Sequence, residues 1–368
     1  MQSLKVIISG GGTGGHIFPA IAIADAIKRK VPNADILFVG AKGKMEMDRV
    51  PQAGYKIEGL WISGIQRNLT VKNLAFPFKL ISSLAKARSI VRMFKPDVAV
   101  GVGGYASGPL LRVASTKKIP SLIQEQNSFP GITNRLLASK VNTVCVAYEG
   151  MDRWFPSDKI VMTGNPVREQ VVQLEGKKPE ACTFFGLKTD KPTLLVVGGS
   201  LGARTINQSI QKNLNLFKEN GYQLIWQTGK LYGDKAYEAV KEIDYEGIKT
   251  FQFIDRMDLA YAMADVVVSR AGAMSVSEIC LTEKPAILIP SPNVAEDHQT
   301  KNAKALADVD AAILLADRDA EEKLGEVMEN LLGDPDKQAA LSVNASNMAH
   351  RNAAEKIADE VLKLVKKR

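Results

Sequence analysis

Two doubly wound α/β domains are what this sequence predicts, and three observations predict them. Short apolar, β-branched runs alternate with helix-period patterns along the chain, the signature of parallel sheets built from βαβ units. The two halves open alike: Leu4–Ser9 runs into Gly10-Gly11-Gly12-Thr13-Gly14-Gly15-His16, and Leu194–Val197 into Gly198-Gly199-Ser200-Leu201-Gly202-Ala203. At 368 residues the chain exceeds what one hydrophobic core usually serves, so two cores facing each other across a cleft are expected.

In the first half the strands are expected at Leu4–Ser9, Ile36–Gly40, Val98–Gly103, Ser121–Gln124, Thr143–Ala147 and Ile160–Thr163. In the second they are expected at Thr193–Val197, Gln223–Gln227, Thr250–Ile254, Asp265–Ser269, Ala286–Ile289 and Ala312–Leu315. Asn165-Pro166 breaks regular structure, which sets the domains at 1–165 and 166–348. The remaining stretch, about 349–368, has an amphipathic helical pattern and a basic end, and is expected to pack back on the first domain.

Composition narrows the class. With 45% hydrophobic and 24% charged residues, neither a disordered nor a fibrous chain is indicated. Cys145, Cys182 and Cys280 lie far apart without a CxxC pair, against a disulfide framework or zinc site and in keeping with a reducing compartment. The run Leu4–Ser9 is too short for a signal peptide, and no segment approaches the roughly 20 apolar residues of a spanning helix. The net charge of +8 is uneven: residues 1–165 hold 22 basic against 10 acidic side chains, leaving a balance of −4 for the rest. The first half therefore suits an anionic surface, nucleic acid or membrane, unless it is simply a solvated basic face.

Gly10, Gly12 and Gly15 satisfy GxGxxG, but Ile36–Val39 runs into Gly40-Ala41-Lys42 where a dinucleotide enzyme would place a ribose-binding acid. What survives is a loop whose amides and helix N-terminus approach a phosphate or sugar. Gly198, Ser200 and Gly202 spell GxSxG, readable as a second phosphate cradle using the Ser200 hydroxyl or as the nucleophile elbow of a hydrolase, whose base would be His298. Arg270–Glu278 reads as a turn entering a helix; Glu278 there could accept from both hydroxyls of a ribose or merely complement the helix dipole.

The motifs GGTGGH (residues 11–16), GGYASGP (103–109), EQN (125–127), GNPVR (164–168), GGSLGA (198–203), SRAGAMSVSE (269–278) and DHQTKNA (297–303) together closely resemble the MurG family of bacterial N-acetylglucosaminyltransferases. The resemblance runs in order along nearly the whole chain. It implies a GT-B fold of two Rossmann-like domains and transfer of GlcNAc from UDP-GlcNAc to the 4-hydroxyl of the muramoyl sugar on undecaprenyl-diphosphate-linked muramoyl-pentapeptide. It further implies a peripheral enzyme on the cytoplasmic side of the inner membrane, with no nucleic-acid partner. By the resemblance Thr13, Gly14, Gly15 and Asn127 face the sugar. Arg168, Ser200, Ile254, Ala273, Met274, Ser275, Val276, Ser277, Glu278 and Gln299 hold the donor from the C-terminal side, Ile254 by its backbone on uracil and Glu278 on ribose. Many members read His-Glu-Gln-Asn where this chain has Gln124-Glu125-Gln126-Asn127, so no role of that histidine carries over.

The resemblance implies an α-linked donor and a β-linked product, hence one inverting displacement and a base. His16, opening a helix whose dipole favours a neutral imidazole, is the first candidate, against a role confined to ordering the loop; Glu125 is the second. Ser200, loop amides and Arg168 can offset the charge of the departing diphosphate, so no metal or other cofactor is expected. Asp308-Val309-Asp310 and Asp317-Arg318-Asp319 read as element edges. A non-catalytic nucleotide-sugar-binding scaffold remains the other alternative. For the membrane, Ile65–Arg92 offers Leu69, Leu74, Phe76 and Phe78 beside Lys72 and Lys79 in a proline-interrupted loop, with Lys86, Arg88 and Arg92 on the helix that follows. Leu80, Ile81, Leu84 and Val91 are expected to form that helix's buried stripe.

Overall fold

The computed structural model describes residues 3–64, 75–199, 201–294 and 297–366. They form two compact units, 1–168 with 350–368, and 169–349. The first holds a parallel sheet of β1 (Lys5–Ser9), β2 (Asp35–Ala41), β3 (Lys56–Leu60), β4 (Val98–Gly101), β5 (Ser121–Glu125), β6 (Thr143–Val146) and β7 (Ile160–Met162), in the order β3-β2-β1-β4-β5-β6-β7. The second holds β8 (Thr193–Val197), β9 (Gln223–Gln227), β10 (Ile248–Phe251), β11 (Val266–Ser269), β12 (Ala286–Leu288) and β13 (Ile313–Leu314), in the order β10-β9-β8-β11-β12-β13.

Two strand expectations need correction. Sequence patterning overlooks β3, which pairs with β2 from Leu37↔Lys56 to Ala41↔Leu60. Lys56 and Glu58 break up its apolar run because β3 is an edge strand with one side toward solvent. In the second unit β10 ends at Phe251, so Ile254 lies in the loop beyond it.

Each sheet is apolar on both faces, as a parallel sheet covered by helices must be. In β1, Val6 and Ile8 enter one layer with Ile17, Ile23 and Ile27 of the helix Gly14–Lys30, while Ile7 enters the opposite layer with Leu110 and Leu111 of the helix Ser107–Thr116. In the second unit Leu194 and Val196 face Ile206 and Trp226, whereas Leu195 faces Tyr261, Val276 and Ile279. The last helix, Ala353–Lys366, belongs to the first unit: Ile357, Ala358 and Val361 join the layer of Val6 and Ile8, and Glu355 and Asp359 pair with Arg29 and Lys30.

The helix Phe76–Phe94 starts earlier than expected. Pro77 sits in its first turn, where a missing N–H costs nothing, so Phe76 and Phe78 open a helix rather than a loop. Leu80, Leu84, Ala87 and Val91 turn inward, but Ile81, about 100° further round the helix, is 66% exposed. Lys86 pairs with Glu58 of β3 at 3.0 Å.

Candidate functional site

In both sheets the strand order reverses beside the first strand of the unit, between β1 and β4 and between β8 and β11, and ligands of open α/β sheets bind at the carboxyl edge of such a reversal. The helices following the six strands β1, β4, β5, β8, β11 and β12 carry no acid in their first turns, although the Glu125 carboxylate meets the start of the one after β5 and Asp297 is the N-cap of the one after β12. The helices after β2, β9 and β10 do carry acids there: Glu46, Asp234 and Asp258.

In the first unit the loop after β1 leads into the helix Gly14–Lys30 with exposed Thr13 as an extended N-cap. Pro19 has no N–H, so the Gly15 carbonyl lacks the helical donor four residues on. His16 is half-buried and its imidazole lies against the loop after β4: a Cβ on Gly103 would come within 2.5 Å of the ring, and Gly103 has φ +95°. Only glycine fits there on both counts. Gly104 would likewise collide with the Gly11 backbone, so the two glycine loops touch main chain to main chain.

Glu46 holds this arrangement from behind. It is fully buried, and its carboxylate accepts from the Gly12 N–H (2.9 Å) and the Ala41 N–H (2.9 Å), tying the first loop to the end of β2. A Cβ on Gly40 would lie 2.5 Å from its Cγ, and one on Gly11 would collide with its carboxylate. At the end of β5 the Glu125 carboxylate, also buried, accepts from the Asn127 N–H (3.0 Å) and Nδ2 (3.3 Å), the Gly131 N–H (3.2 Å) and Asn134 Nδ2 (2.8 Å). Burial pushes its pKa up, and these hydrogen bonds pull the other way. Gln124, standing where many sequences of the resembled family have histidine, joins a buried amide network: it donates to Asn165 Oδ1 (3.1 Å) and accepts from Gln126 (2.6 Å), while Asn165 donates to the Gln126 carbonyl (3.0 Å).

In the second unit the loops after β8 and β9 meet as closely, since a Cβ on Gly202 would collide with the Thr228 carbonyl. Gln227 spans this edge, donating to the Gly199 carbonyl (3.3 Å) and accepting from the Ile254 N–H (3.0 Å). The helix Ala273–Leu281 follows Gly272 and carries Glu278 half-buried, its carboxylate accepting from the Tyr261 hydroxyl at 3.0 Å. Asn302 pins the Ala271 carbonyl (3.3 Å), and Gln299 accepts from the Ser291 N–H (2.8 Å). Asp317 is held by Arg270 (2.5 Å) and Thr205 (3.0 Å). Among the described residues no group of three His, Cys, Asp or Glu side chains is placed to hold a metal ion.

Two loop-bearing edges of this kind match the two halves of one known transferase family. Residues 6–146 match the glycosyltransferase family 28 N-terminal domain and residues 193–360 its C-terminal domain. A Cytophaga hutchinsonii protein named UDP-N-acetylglucosamine–N-acetylmuramyl-(pentapeptide) pyrophosphoryl-undecaprenol N-acetylglucosamine transferase is 56% identical, with 98% of this chain and 97% of that protein covered. A Parabacteroides distasonis protein of the same name is 54% identical over the full length of both. The crystal structure of Acinetobacter baumannii MurG superposes with a TM-score of 0.78 at 29% identity, covering 98% of this chain and all of that one. The chain belongs to the MurG family. Its fold class is accordingly GT-B, with two Rossmann-like units. A Neisseria meningitidis UDP-GlcNAc 2-epimerase, TM-score 0.68 at 13% identity with 98% and 100% of the chains covered, shares the fold alone.

Of the residues the MurG resemblance assigns, the first unit brings Thr13, Gly14, Gly15 and His16 together in one loop and helix start, with Asn127 at the end of β5. Arg168 also belongs to this unit, its guanidinium 4.4 Å from the Phe18 ring centroid, and not to the C-terminal body where it was expected. Ile254, Ala273–Glu278 and Gln299 lie in the second unit, and Ser200 falls outside the described residues. Both oxygens of Glu125 accept from donors between Asn127 and Asn134, two to each oxygen. Ile254 has its N–H engaged by Gln227, and its carbonyl takes no part in that bond. The buried contacts of Glu46, Gln227 and Tyr261 escaped the sequence reading, because a polar residue inside an apolar pattern gives no sign of its distant partner.

Proposed function

We propose that the chain transfers GlcNAc from UDP-GlcNAc to the 4-hydroxyl of the muramoyl sugar of undecaprenyl-diphosphate-linked muramoyl-pentapeptide, inverting the anomeric carbon. The observation that carries this reading is 52–56% identity along essentially the whole chain to transferases bearing that name. In the displacement the acceptor oxygen bonds to the anomeric carbon as the bond to the UDP oxygen breaks, and the acceptor proton passes to a base, assigned to His16. Helix N-termini and loop amides at the second unit's edge offset the charge gained by the departing diphosphate. Glu278 accepts from the ribose hydroxyls and the Ile254 carbonyl meets uracil. This family membership speaks against both alternatives, a serine hydrolase using Ser200 and a non-catalytic nucleotide-sugar-binding scaffold. The test is incorporation of label from UDP-[¹⁴C]GlcNAc into a lipid-linked muramoyl acceptor, run beside UDP-GalNAc. Transfer from the first and little from the second is expected; no transfer, or equal transfer, overturns the assignment.

We further propose that the start of the helix Phe76–Phe94 docks on anionic lipid. Phe78 and Ile81 are 70% and 66% exposed, and Lys79, between them in sequence, lies over the ring of exposed Trp61 while donating to Ser63. Of the other contacts assigned from sequence, Phe76 is half-buried, and Leu69, Lys72 and Leu74 lie outside the described residues. Among the described helices none is long and apolar enough to cross a membrane, and a polyprenyl acceptor stays in the bilayer. Apolar side chains entering the headgroup boundary beside cations worth about 1 kcal/mol each meet that need. Co-sedimentation with anionic liposomes is expected to fall for Phe78→Ser/Ile81→Ser, and equal binding by the wild type to neutral and anionic vesicles counts against the patch.

A further inference from the structure

The second unit contains a buried phenol that the chemistry above leaves unused. Tyr261 is 2% exposed, lies in the helix Met257–Met263, and donates to Glu278 Oε2 at 3.0 Å. The direction of that bond is fixed, because an ionised carboxylate only accepts, and burial keeps the proton on the phenol by pushing its pKa further up. A buried tyrosine must satisfy its hydroxyl somewhere, and any carbonyl would serve. Here the partner is the half-buried carboxylate at the ligand edge. The ring packs in the same apolar cluster as Ile254, Val276 and Ile279, the first in the loop assigned to uracil and the other two on the helix that carries Glu278.

We propose that Tyr261 is a positioning residue for nucleoside recognition, holding the Glu278 carboxylate in the orientation that accepts from the ribose diol. The proposal rests on the assignment of Glu278 to ribose. A glutamate has three rotatable side-chain bonds, and freezing them during binding would subtract from affinity; a buried, immobile donor on one oxygen freezes them beforehand. Ile254 and Tyr261 belong to one packed apolar cluster, so in this reading base and sugar recognition rest on the same layer.

The test is calorimetric binding of UDP and of 2′-deoxy-UDP to the full chain as wild type, Tyr261→Phe, Glu278→Gln and the double variant. Tyr261→Phe keeps the ring volume, so the cluster stays packed. It is expected to weaken UDP binding by ~5- to 20-fold, to move the preference for UDP over 2′-deoxy-UDP toward one, and to add little in the Glu278→Gln background. The preference is a ratio within one protein and does not respond to a general loss of stability. Equal weakening of both nucleotides, or additivity with Glu278→Gln, makes Tyr261 a core residue only and overturns the proposal. If Glu278→Gln itself leaves the preference intact, the ribose assignment fails, an outcome distinct from failure in Tyr261→Phe alone.

Discussion

At His16 and Glu46 the local chemistry sets separate expectations for rate and for stability. His16 faces the Gly103 backbone from the start of its helix, so removing the ring alters the first unit's glycine-loop edge while leaving the second unit intact. His16→Ala is expected to lower kcat by ~10²- to 10⁴-fold with UDP affinity preserved. A loss confined to KM would reassign His16 to binding. Glu46 has the opposite signature. Glu46→Gln keeps the shape but turns one acceptor into a donor that faces an N–H of Gly12 or Ala41. An unsatisfied buried group of this kind costs about 1–3 kcal/mol, so the urea midpoint should fall by a matching amount. Stability equal to the wild type would mean that the glycine loop does not depend on this carboxylate.

Among the elements, the helix Met257–Met263 shows how one short segment is anchored at both ends. Tyr261 fixes its last turn to Glu278, and Asp258 in its first turn accepts from Arg256 (2.9 Å) and Lys177 (2.9 Å). Hydrogen bonding from Arg256 holds the Asp258 carboxyl well below the usual range, with burial opposing and Lys177 reinforcing. A carboxyl whose folded-state pKa is depressed adds stability above its unfolded value of about 3.9 and loses it as pH falls through the folded value. Wild-type stability should therefore decline as pH drops below about 4, and more steeply than that of Asp258→Asn; parallel urea midpoints across this range would argue against the anchor. The same helix marks what was legible in the sequence. Strands buried on both faces, such as β1, β4 and β8, announce themselves as apolar runs, whereas the edge strand β3 hides behind Lys56 and Glu58. Site loops were legible from their glycines. Their supports were not, because Glu46, Gln227 and Tyr261 act on partners 34, 27 and 17 residues away, beyond the reach of any local pattern.

For the molecule as a whole, the chain passes between its two units twice, after Arg168 and again before His350, so its C-terminal helix completes the first core rather than the second. Ile357 is fully buried there among Ile17, Ile23 and Ile27, and the flanking ion pairs of Arg29 and Lys30 are half-exposed and contribute little by comparison. Ile357→Ala removes three carbons from a packed layer, which costs about 2–5 kcal/mol when the surroundings cannot close the cavity. Two units with separate cores need not melt together, so that loss should appear in one transition only. Uridine and diphosphate recognition is assigned to the second unit, and UDP at 100 times its Kd stabilises whatever binds it by about 2.7 kcal/mol. Calorimetry of Ile357→Ala should show a lowered transition that UDP leaves in place and an unshifted one that UDP raises. A single transition lowered by the substitution and raised by UDP would show that the two cores unfold as one, and a UDP shift confined to the destabilised transition would move the donor site to the first unit.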